Sequence, residues 1–372
     1  MTEVFLFGTL CHAALLRLVA GGDVPQVPAQ MPDACVAWAK DAPYPVLLDT
    51  PGAKADGLLI SPGAEALARI DFYEACFGYH RVPVSVLTPD GPRQVQAWRP
   101  REATAEPGAA WSLADWVDRW GELSILAAAE VMRQFGHADP QEIGHRFWMI
   151  RARAQSFLEA GHWARPGKVG HGLTRADVET LDHRFPYDRF FTVEELRIRN
   201  RQFDGSLSTP QERAVFRVAD AVTVLPYDPV RDRILLVEQV RLGAYANGDA
   251  APWMLEPVAG IIDAGETPRD SARREAVEEA GLDLEDLHHV ARYYPSPGGI
   301  AQVITSFVGI ADLPDGVAGI GGLAGEGEDI LSHLVAFDLA EEMLAQGDMV
   351  NAPLILSMQW LQLNRQRLRA SA

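Results

Sequence analysis

Residues 260–282 read GIIDAGETPRDSARREAVEEAGL, and this stretch decides the fold of the second half of the chain. A glycine-rich turn leads into a predicted helix. Threonine is favoured as a helix N-cap and proline at the first helical position, so we predict that the helix begins at Pro268 with Thr267 as its cap. Glycine is favoured just beyond the last helical turn, which predicts that the helix ends at Gly281.

Three glutamates share one face of this predicted helix. Glu275, Glu278 and Glu279 stand at positions i, i+3 and i+4, where like charges repel one another. Divalent cations between the carboxylates would explain the arrangement, and hard oxygen ligands suit Mg²⁺ or Mn²⁺. A solvated acidic surface helix is the alternative interpretation. The other side of the helix is expected to hold Ala272, Ala276, Val277 and Ala280.

The spacing of the fixed residues favours metal binding over a solvated surface. The fixed positions are Gly260, Glu266, Arg274, Glu275, Glu278, Glu279, Gly281 and the aliphatic Leu282. This pattern resembles the Nudix box at every fixed position, which implies hydrolysis of a nucleoside diphosphate linked to another group. The resemblance also implies that Glu275 and Glu279 bind metal, with Arg274 and Glu278 as supporting or bridging groups.

The chemistry of a diphosphate agrees with this interpretation. Water that attacks a pyrophosphate must overcome the negative charge of the phosphates. Clustered metal ions neutralise that charge and also activate the water.

Outside the box, the second half resembles the ADP-ribose pyrophosphatase branch of Nudix enzymes over nearly its whole length. The segments that carry this resemblance are PYDPVRD (226–232), VEQVRLGAY (237–245), LEPVAG (255–260), SPGG (296–299) and GLAGEGEDI (322–330). The resemblance implies an α/β/α sandwich with a mixed sheet.

Substrate-binding residues follow from the same resemblance. Arg241 matches a phosphate-binding arginine, and its planar guanidinium suits bidentate contact. Arg213 matches an arginine that reaches the site from the partner chain in domain-swapped dimers, so a homodimer is expected. Ser296, Pro297 and Gly298 match a loop over the terminal ribose, which the proline would rigidify. Surface ion pairs are the alternative for both arginines.

The remaining site residues are also implied by resemblance. Ala259 matches a position that offers its backbone carbonyl to metal. Glu326 would be the general base, and Glu328 would complete a shell of about two or three divalent ions when its glycine-rich loop closes. A solvated acidic loop is the alternative. Gln302 stands where many relatives carry a glutamate. Because glutamine cannot act as a base, this favours Glu326 as the residue that deprotonates the attacking water.

The first hundred residues carry a second, weaker resemblance. Residues 3–10 indicate a buried strand that ends in a glycine turn. The stretch Phe7-Gly8-Thr9-Leu10 resembles the Tyr-Gly-Ser-Leu loop of the γ-glutamylcyclotransferase-like fold, a small barrel. Glu74 falls where that family places its catalytic glutamate. The alternative is a domain retained for packing, dimerisation or ligand sensing.

Between the two halves, helical periodicity runs through residues 110–165. Trp111, Trp116 and Trp120 belong to this pattern and favour a core, although such a cluster could also stack on a base. We therefore predict an α+β chain of three segments: a cyclotransferase-like domain (1–108), a helical connector (109–168) and a Nudix domain (169–372).

Composition and charge limit the classes of binding partner and the cellular compartment that we expect. The 372-residue chain has a formal net charge of −18, which argues against nucleic-acid and anionic-membrane surfaces. Its 3 cysteines are too few for a disulfide framework or a zinc site, and a cytoplasmic protein is the simplest expectation. No apolar run approaches the roughly 18 residues of a membrane span.

The function that we expect is metal-dependent hydrolysis of ADP-ribose to AMP and ribose 5-phosphate. Another nucleoside diphosphate sugar, or a dinucleotide such as NADH, is the competing enzyme substrate. A non-catalytic ADP-ribose sensor and γ-glutamyl chemistry at Glu74 are further alternatives. The combination of the two halves resembles tellurite-resistance Nudix proteins.

Overall fold

The structure is a computed structural model that describes residues 2–100, 105–163, 167, 169–322 and 328–371. The chain forms two compact units. Unit 1 comprises Met1–His162 and Asp188–Phe190, and unit 2 comprises Trp163–Tyr187 and Phe191–Ala372. None of the described helices combines the length and the apolar content that crossing a bilayer requires.

Unit 1 contains a closed five-stranded barrel. Its strands are β1 (Val4–Leu6), β2 (Gln26–Ala39), β3 (Pro45–Ile60), β4 (Tyr79–Thr88) and β5 (Gly91–Pro100), and a sixth, short strand, β6 (Pro107–Ala110), pairs with β2 outside the ring. The sheet order is β3-β1-β5-β4-β2-β6, and β2 also pairs with β3, which closes the ring. Strands β1 and β5 are parallel, whereas the other pairs are antiparallel. The predicted small barrel is confirmed.

Apolar side chains fill the barrel. The core includes Phe5, Ala29, Leu59, Val86 and Val95. At Gly57 the strands approach so closely that a Cβ would lie 2.1 Å from the carbonyl oxygen of Leu6, so only glycine fits there.

Helices surround the barrel within unit 1. They are α1 (Ala13–Ala20), α2 (Ala64–Ala75), α3 (Leu113–Arg133), α4 (Pro140–His145) and α5 (Phe147–His162). Three of them lie in the region of predicted helical periodicity. Trp116 on α3 is buried and donates a hydrogen bond from its indole nitrogen to the carbonyl of Pro43 at 2.9 Å. This burial and this hydrogen bond agree with the prediction that Trp116 belongs to a hydrophobic core.

Unit 2 contains a mixed eight-stranded sheet. The strands are β10 (Ala221–Asp228), β11 (Arg233–Val240), β12 (Trp253–Glu256), β13 (Val258–Ile261), β14 (Leu287–Tyr293), β16 (Ile304–Ile310), β17 (Ile320–Gly321) and β18 (Ile330–Ala336). The order is β14-β16-β10-β11-β18-β17, with β12 on β11 and β13 on β10. Strands β10 and β16 are parallel, whereas β10 and β13 are antiparallel.

Helices cover both faces of this sheet. They are α7 (Pro268–Ala280) on one face and α8 (Phe337–Gln346) and α9 (Ala352–Ala370) on the other, and a short helix, α6 (Leu242–Ala246), follows β11. Val222 and Val224 of β10 pack in the core that includes α7. Leu225 and Tyr227, on the opposite face of β10, pack in the core that includes α8 and α9. The predicted sandwich with a mixed sheet is confirmed.

A second, four-stranded sheet completes unit 2. It consists of β7 (Val178–Asp188), β8 (Thr192–Asn200), β9 (Gln211–Arg217) and β15 (Ile300–Ala301), in the order β15-β9-β8-β7. Because β15 pairs with β9, this sheet leads directly to the loop that precedes Ile300.

Candidate active site

Helix α7 presents the acidic stripe, and its predicted caps hold both of its ends. The hydroxyl of Thr267 accepts a hydrogen bond from the backbone N–H of Asp270 at 3.3 Å. Pro268 is the first helical residue. Gly281 follows the last residue with a φ of 63°, a left-handed conformation that favours glycine. The helix therefore begins and ends where the sequence predicts.

The buried side of α7 differs in one respect from the expectation. Ala272 and Ala276 are fully buried against the sheet, but Val277 is 51% exposed, so its assignment to the buried side is wrong. Glu279 is only 3% exposed and lies on the inner side instead. The acidic face of α7 therefore extends further toward the sheet than its sequence pattern indicates.

Arg274 joins the acidic residues of the box. Its guanidinium donates to both carboxylate oxygens of Glu266 at 3.0 Å, to Glu275 at 2.7 Å and to Glu278 at 2.9 Å. It also donates to the carbonyl of Ile261 on β13 at 3.1 Å. Burial alone would lower the pKa of Arg274, but the hydrogen bonds to Glu266 and the surrounding carboxylates raise it. The arginine stays charged and orients three carboxylates.

Glu275 lies against the backbone of β13. A Cβ added to Gly260 would be 1.8 Å from Oε1 of Glu275. The carboxylate therefore occupies the space that a side chain at position 260 would need, so this arrangement requires glycine there.

Glu279 is held by the same strand. Its carboxylate accepts a hydrogen bond from the backbone N–H of Ala259 at 3.1 Å. Burial raises the pKa of Glu279 to about 8, and the charges of Glu275 and Glu328 add to the increase, whereas the Ala259 hydrogen bond and Arg241 oppose it. Glu279 therefore lies within electrostatic reach of two other carboxylates, Glu275 and Glu328, and of the guanidinium of Arg241.

Glu275 has a similar electrostatic environment. Burial raises its pKa to about 7, while Arg274 lowers it and the charges of Glu278 and Glu328 raise it. Both pKa values lie well above that of an exposed carboxyl group, because neither charge is fully compensated by the protein.

The donor atoms fit a hard divalent cation. The carboxylates of Glu275, Glu279 and Glu328 repel one another, and with the backbone carbonyl of Ala259 they would offer a divalent cation only oxygen atoms, the donors that Mg²⁺ and Mn²⁺ prefer. Within the described ranges, which omit 323–327, no three His, Cys, Asp or Glu side chains already form a metal-binding group. The side chain of Glu275 is instead turned to Arg274 at 2.7 Å.

Arg241 lies at the N-terminal end of α6, beside the acidic residues. It forms an ion pair with Glu256, which is 5% exposed and also accepts a hydrogen bond from the side-chain amide of Asn351 at 2.6 Å. Sequence reasoning missed Glu256 and Asn351. Glu256 lies in a segment that carried the family resemblance, whereas Asn351 is 95 residues away and has no local signal.

Arg213 lies on β9 of the four-stranded sheet and is exposed. Its side chain donates to the carbonyl of Glu212 at 2.8 Å and to the side-chain oxygen of Gln211. These hydrogen bonds hold it along its own strand rather than at α7.

Ser296, Pro297 and Gly298 form an exposed turn before β15. The carbonyl of Ser296 accepts hydrogen bonds from the N–H groups of Gly299 at 3.2 Å and Ile300 at 2.9 Å. The side-chain amide of Gln302 donates to the carbonyl of Ala219 at 2.8 Å. Its amide therefore has a structural role between strands.

Two predicted site residues do not belong to the described part of unit 2. Glu326 falls outside the described residues. Glu74 belongs to unit 1, on the last turn of α2, where it lines a cavity. Burial raises the pKa of Glu74 to about 8, with a further contribution from the charge of Asp71.

Comparison with protein families gives two matches. Residues 217–353 match the NUDIX domain, and residues 4–116 match the family described as gamma-glutamyl cyclotransferase, AIG2-like. The second match ends within α3, so most of the helical region of unit 1 lies beyond it.

Curated relatives match the second half of the chain. The chain is 41% identical to the ADP-ribose pyrophosphatase of Escherichia coli K12 over 55% of this chain and 97% of that protein. It is 38% identical to the Haemophilus influenzae ADP-ribose pyrophosphatase over 56% and 97%. The GDP-mannose pyrophosphatase of Escherichia coli O1:K1 is 28% identical over 48% and 91%.

Proposed function

This chain belongs to the Nudix family, and from that membership we propose that unit 2 hydrolyses ADP-ribose to AMP and ribose 5-phosphate. The higher identity to ADP-ribose pyrophosphatases than to the GDP-mannose pyrophosphatase supports this substrate. Water would bond to one phosphorus of the diphosphate while the bridging P–O bond breaks, leaving one phosphate on each product.

One observation supports metal dependence above all: Glu279 is buried, Glu275 is half-buried beside it on α7, both lie against β13, and burial raises their pKa values to about 8 and about 7. We assign them, with Glu328 and the carbonyl of Ala259, to the binding of about two or three divalent cations, Mg²⁺ or Mn²⁺. A bound cation neutralises phosphate charge and lowers the pKa of a coordinated water.

The chain's own residues divide the remaining tasks. Arg274 orients Glu275 and Glu278 through its hydrogen bonds. Arg241 is fixed by Glu256 and can meet a phosphate with its remaining N–H groups. From its position in the sequence, we assign Glu326 the role of general base, which accepts the proton of the attacking water. We assign Ser296, Pro297 and Gly298 to the binding of the terminal ribose.

The test is a substrate panel. Purified protein would be incubated with Mg²⁺ and ADP-ribose, GDP-mannose or NADH, and the products separated by chromatography. We expect AMP and ribose 5-phosphate from ADP-ribose at the highest kcat/KM. Faster cleavage of another compound would make that compound the substrate instead of ADP-ribose. Tight binding of ADP-ribose without turnover would favour a non-catalytic ADP-ribose sensor.

We also propose a cytoplasmic homodimer in which Arg213 serves the partner's site. Mixing an Arg213→Ala protein with a Glu279→Gln protein tests this arrangement, because a mixed dimer would hold one site with both residues intact. Recovery of activity on mixing two weakly active variants is expected. No recovery in mixed dimers isolated by two affinity tags would assign Arg213 to its own subunit.

For unit 1 we propose γ-glutamyl cyclotransferase chemistry as a second candidate, in keeping with the tellurite-resistance type of two-part Nudix protein. The supporting observation is the position of Glu74 on a cavity that Gly8, Thr9 and Leu10 also line. Release of 5-oxoproline from γ-glutamyl dipeptides by wild type but not by Glu74→Gln would support it. The three-segment division at 108 and 168 stays a prediction.

A further inference from the structure

Three side chains from three separate elements of unit 2 are joined by hydrogen bonds. Asn351 precedes α9, Glu256 ends β12 and Arg241 follows β11. The amide nitrogen of Asn351 donates to Oε1 of Glu256 at 2.6 Å, and Nε of Arg241 donates to Oε2 of the same carboxylate at 2.5 Å. The asparagine therefore reaches the arginine through the glutamate.

The cap of α9 fixes the orientation of the Asn351 amide. Its oxygen accepts a hydrogen bond from the backbone N–H of Leu354 at 3.1 Å, as expected of asparagine at a helix N-cap. Because the oxygen of an amide accepts and its nitrogen donates, the cap leaves the nitrogen as the donor for another group. Asn351 thus places an N–H donor at a fixed position against Glu256.

Glu256 depends on donors from the protein. It is 5% exposed, so water contributes little to its solvation. Burial raises its pKa, whereas Arg241 and Asn351 lower it. Each of these two partners contacts a different carboxylate oxygen, which fixes the rotation of the carboxylate about its bond to the side chain.

Arg241 is fixed at its main chain and along one edge of its guanidinium. Its backbone N–H donates to the carbonyl of Pro252 at 2.8 Å. Its Nε and Nη2 atoms both contact Oε2 of Glu256, each at 2.5 Å, and Nη1 lies at the other end of the guanidinium. The side chain is 38% exposed, and its charge acts on Glu279 of α7. Arg241 is therefore accessible and close to the acidic residues of α7.

We propose that Asn351 is a positioning residue for substrate binding: through Glu256 it orients Arg241 toward a phosphate of the diphosphate. This inference rests on the proposed function, in which Arg241 binds a phosphate. A guanidinium that is already oriented loses less freedom when it binds, and this advantage is present before the chemical step begins. The contribution of Asn351 is therefore to affinity, and it acts on KM rather than on kcat.

Two substitutions separate positioning from capping. Serine and aspartate cap helices about as well as asparagine, so both variants keep the cap of α9. Asn351→Ser has no amide to donate to Glu256. Asn351→Asp places a second carboxylate against it. Asn364→Ser is the matched control on the same helix, because the Asn364 amide donates to the carbonyl of Trp360 within α9.

Binding of ADP tests the proposal without turnover of ADP-ribose. ADP carries the two phosphates and lacks the terminal ribose, and its Kd is measured by isothermal titration calorimetry on the full chain with Mg²⁺. We expect Asn351→Ser and Asn351→Asp to bind ADP about tenfold more weakly than wild type, and Asn364→Ser to bind it equally well. Wild-type affinity in both Asn351 variants, or no binding of ADP to wild type, overturns the proposal.

A change of background excludes an effect on folding alone. Lysine is a compact charge that needs no orientation, so an Arg241→Lys protein should still bind ADP but no longer respond to Asn351. Adding Asn351→Ser to Arg241→Lys is therefore expected to leave the Kd for ADP unchanged. An equal loss of affinity in both backgrounds would show that Asn351 does not act through Arg241, and would overturn the proposal.

Steady-state kinetics with ADP-ribose separate this inference from the function on which it rests. We expect the Asn351 variants to raise KM about tenfold and to leave kcat nearly unchanged. Absence of ADP-ribose hydrolysis by wild type would refute the proposed substrate, while the ADP affinities would still decide the role of Asn351. Hydrolysis by wild type with an unchanged KM in both Asn351 variants would refute the positioning role alone.

Discussion

Gly260 and Glu275 occupy one space: a Cβ at position 260 would lie 1.8 Å from the Oε1 atom of the glutamate. The side-chain conformation of Glu275 therefore requires a glycine, which has no side chain, at position 260 of the neighbouring strand β13. Gly260→Ala is expected to displace the Glu275 carboxylate and lower kcat for ADP-ribose by about a hundredfold, the usual effect of a displacement near 1 Å.

Gly319→Ala is the control for this substitution, since its Cβ would meet no atom within 4 Å. Hydrolysis by Gly319→Ala should match wild type. Wild-type kcat in Gly260→Ala would show that the position of Glu275 does not matter.

The charge of Glu279 can be removed with little change of shape. Glu279→Gln keeps an oxygen to accept the Ala259 N–H but loses the charge that a cation needs. We expect kcat to fall by about a thousandfold or more, with a normal circular dichroism spectrum. Glu285→Gln, an exposed substitution beyond α7, is the control. Wild-type turnover in Glu279→Gln would refute the metal assignment.

Mg²⁺ should stabilise the folded chain through the same residues. Binding to the folded state alone raises the free energy of unfolding by about 2.7 kcal/mol at a hundredfold excess over Kd. A thermal shift on adding MgCl₂, reversed by EDTA, is expected in wild type and Glu285→Gln but not in Glu279→Gln. An equal shift in all three proteins would place the ion elsewhere.

Arg274 is not replaceable by lysine. Lysine cannot donate to Glu266, Glu275 and Glu278 together, so Arg274→Lys should lower both kcat and the melting temperature. The partly exposed network limits the loss of stability to about 1–3 kcal/mol. Arg273→Lys, the exposed neighbour on α7, should change neither quantity. Identical unfolding curves for the two variants would contradict the orienting role.

Glu74 should make the stability of unit 1 depend on pH. Its folded-state pKa is raised from 4.5 to about 8, so the folded protein keeps a proton that the unfolded chain releases. The free energy of unfolding contributed by this group therefore falls as pH rises from about 4.5 to about 8. The Glu74→Gln protein has no such group, so its free energy of unfolding should increase relative to that of wild type as pH approaches 8.

Urea unfolding of wild type, Glu74→Gln and the exposed control Glu65→Gln at several pH values measures this effect. The scale is about 1.4 kcal/mol for each tenfold change in the ionisation constant. Parallel pH profiles for wild type and Glu74→Gln would show that Glu74 ionises normally.

Local chemistry explains which parts of the fold were predictable. The limits of α7 followed from Thr267, Pro268 and Gly281, because caps depend on residues only a few positions apart. Strand β7 went unrecognised because nearly all of its side chains are exposed, so it has no alternating apolar pattern. His288 and His289 have no apolar alternation either, and pairing with β16 is what makes both residues part of β14.

Tertiary contacts account for the features of the site that the sequence does not predict. Val277 was assigned to the buried side by its apolar character, but β13 faces Glu279 through the N–H of Ala259. The polar group formed by Arg241, Glu256 and Asn351 joins residues from three elements. No window of sequence contains such a group, because only the folded sheet brings its members together.

The opposite faces of β10 limit how this strand can change in length. Val222 and Val224 serve one hydrophobic core and Leu225 and Tyr227 the other. Inserting one residue between Val224 and Leu225 would turn one of the two sets to the other face and place it against the wrong helices, whereas inserting two would restore the alternation. Length variation in this strand is therefore tolerable in even steps only.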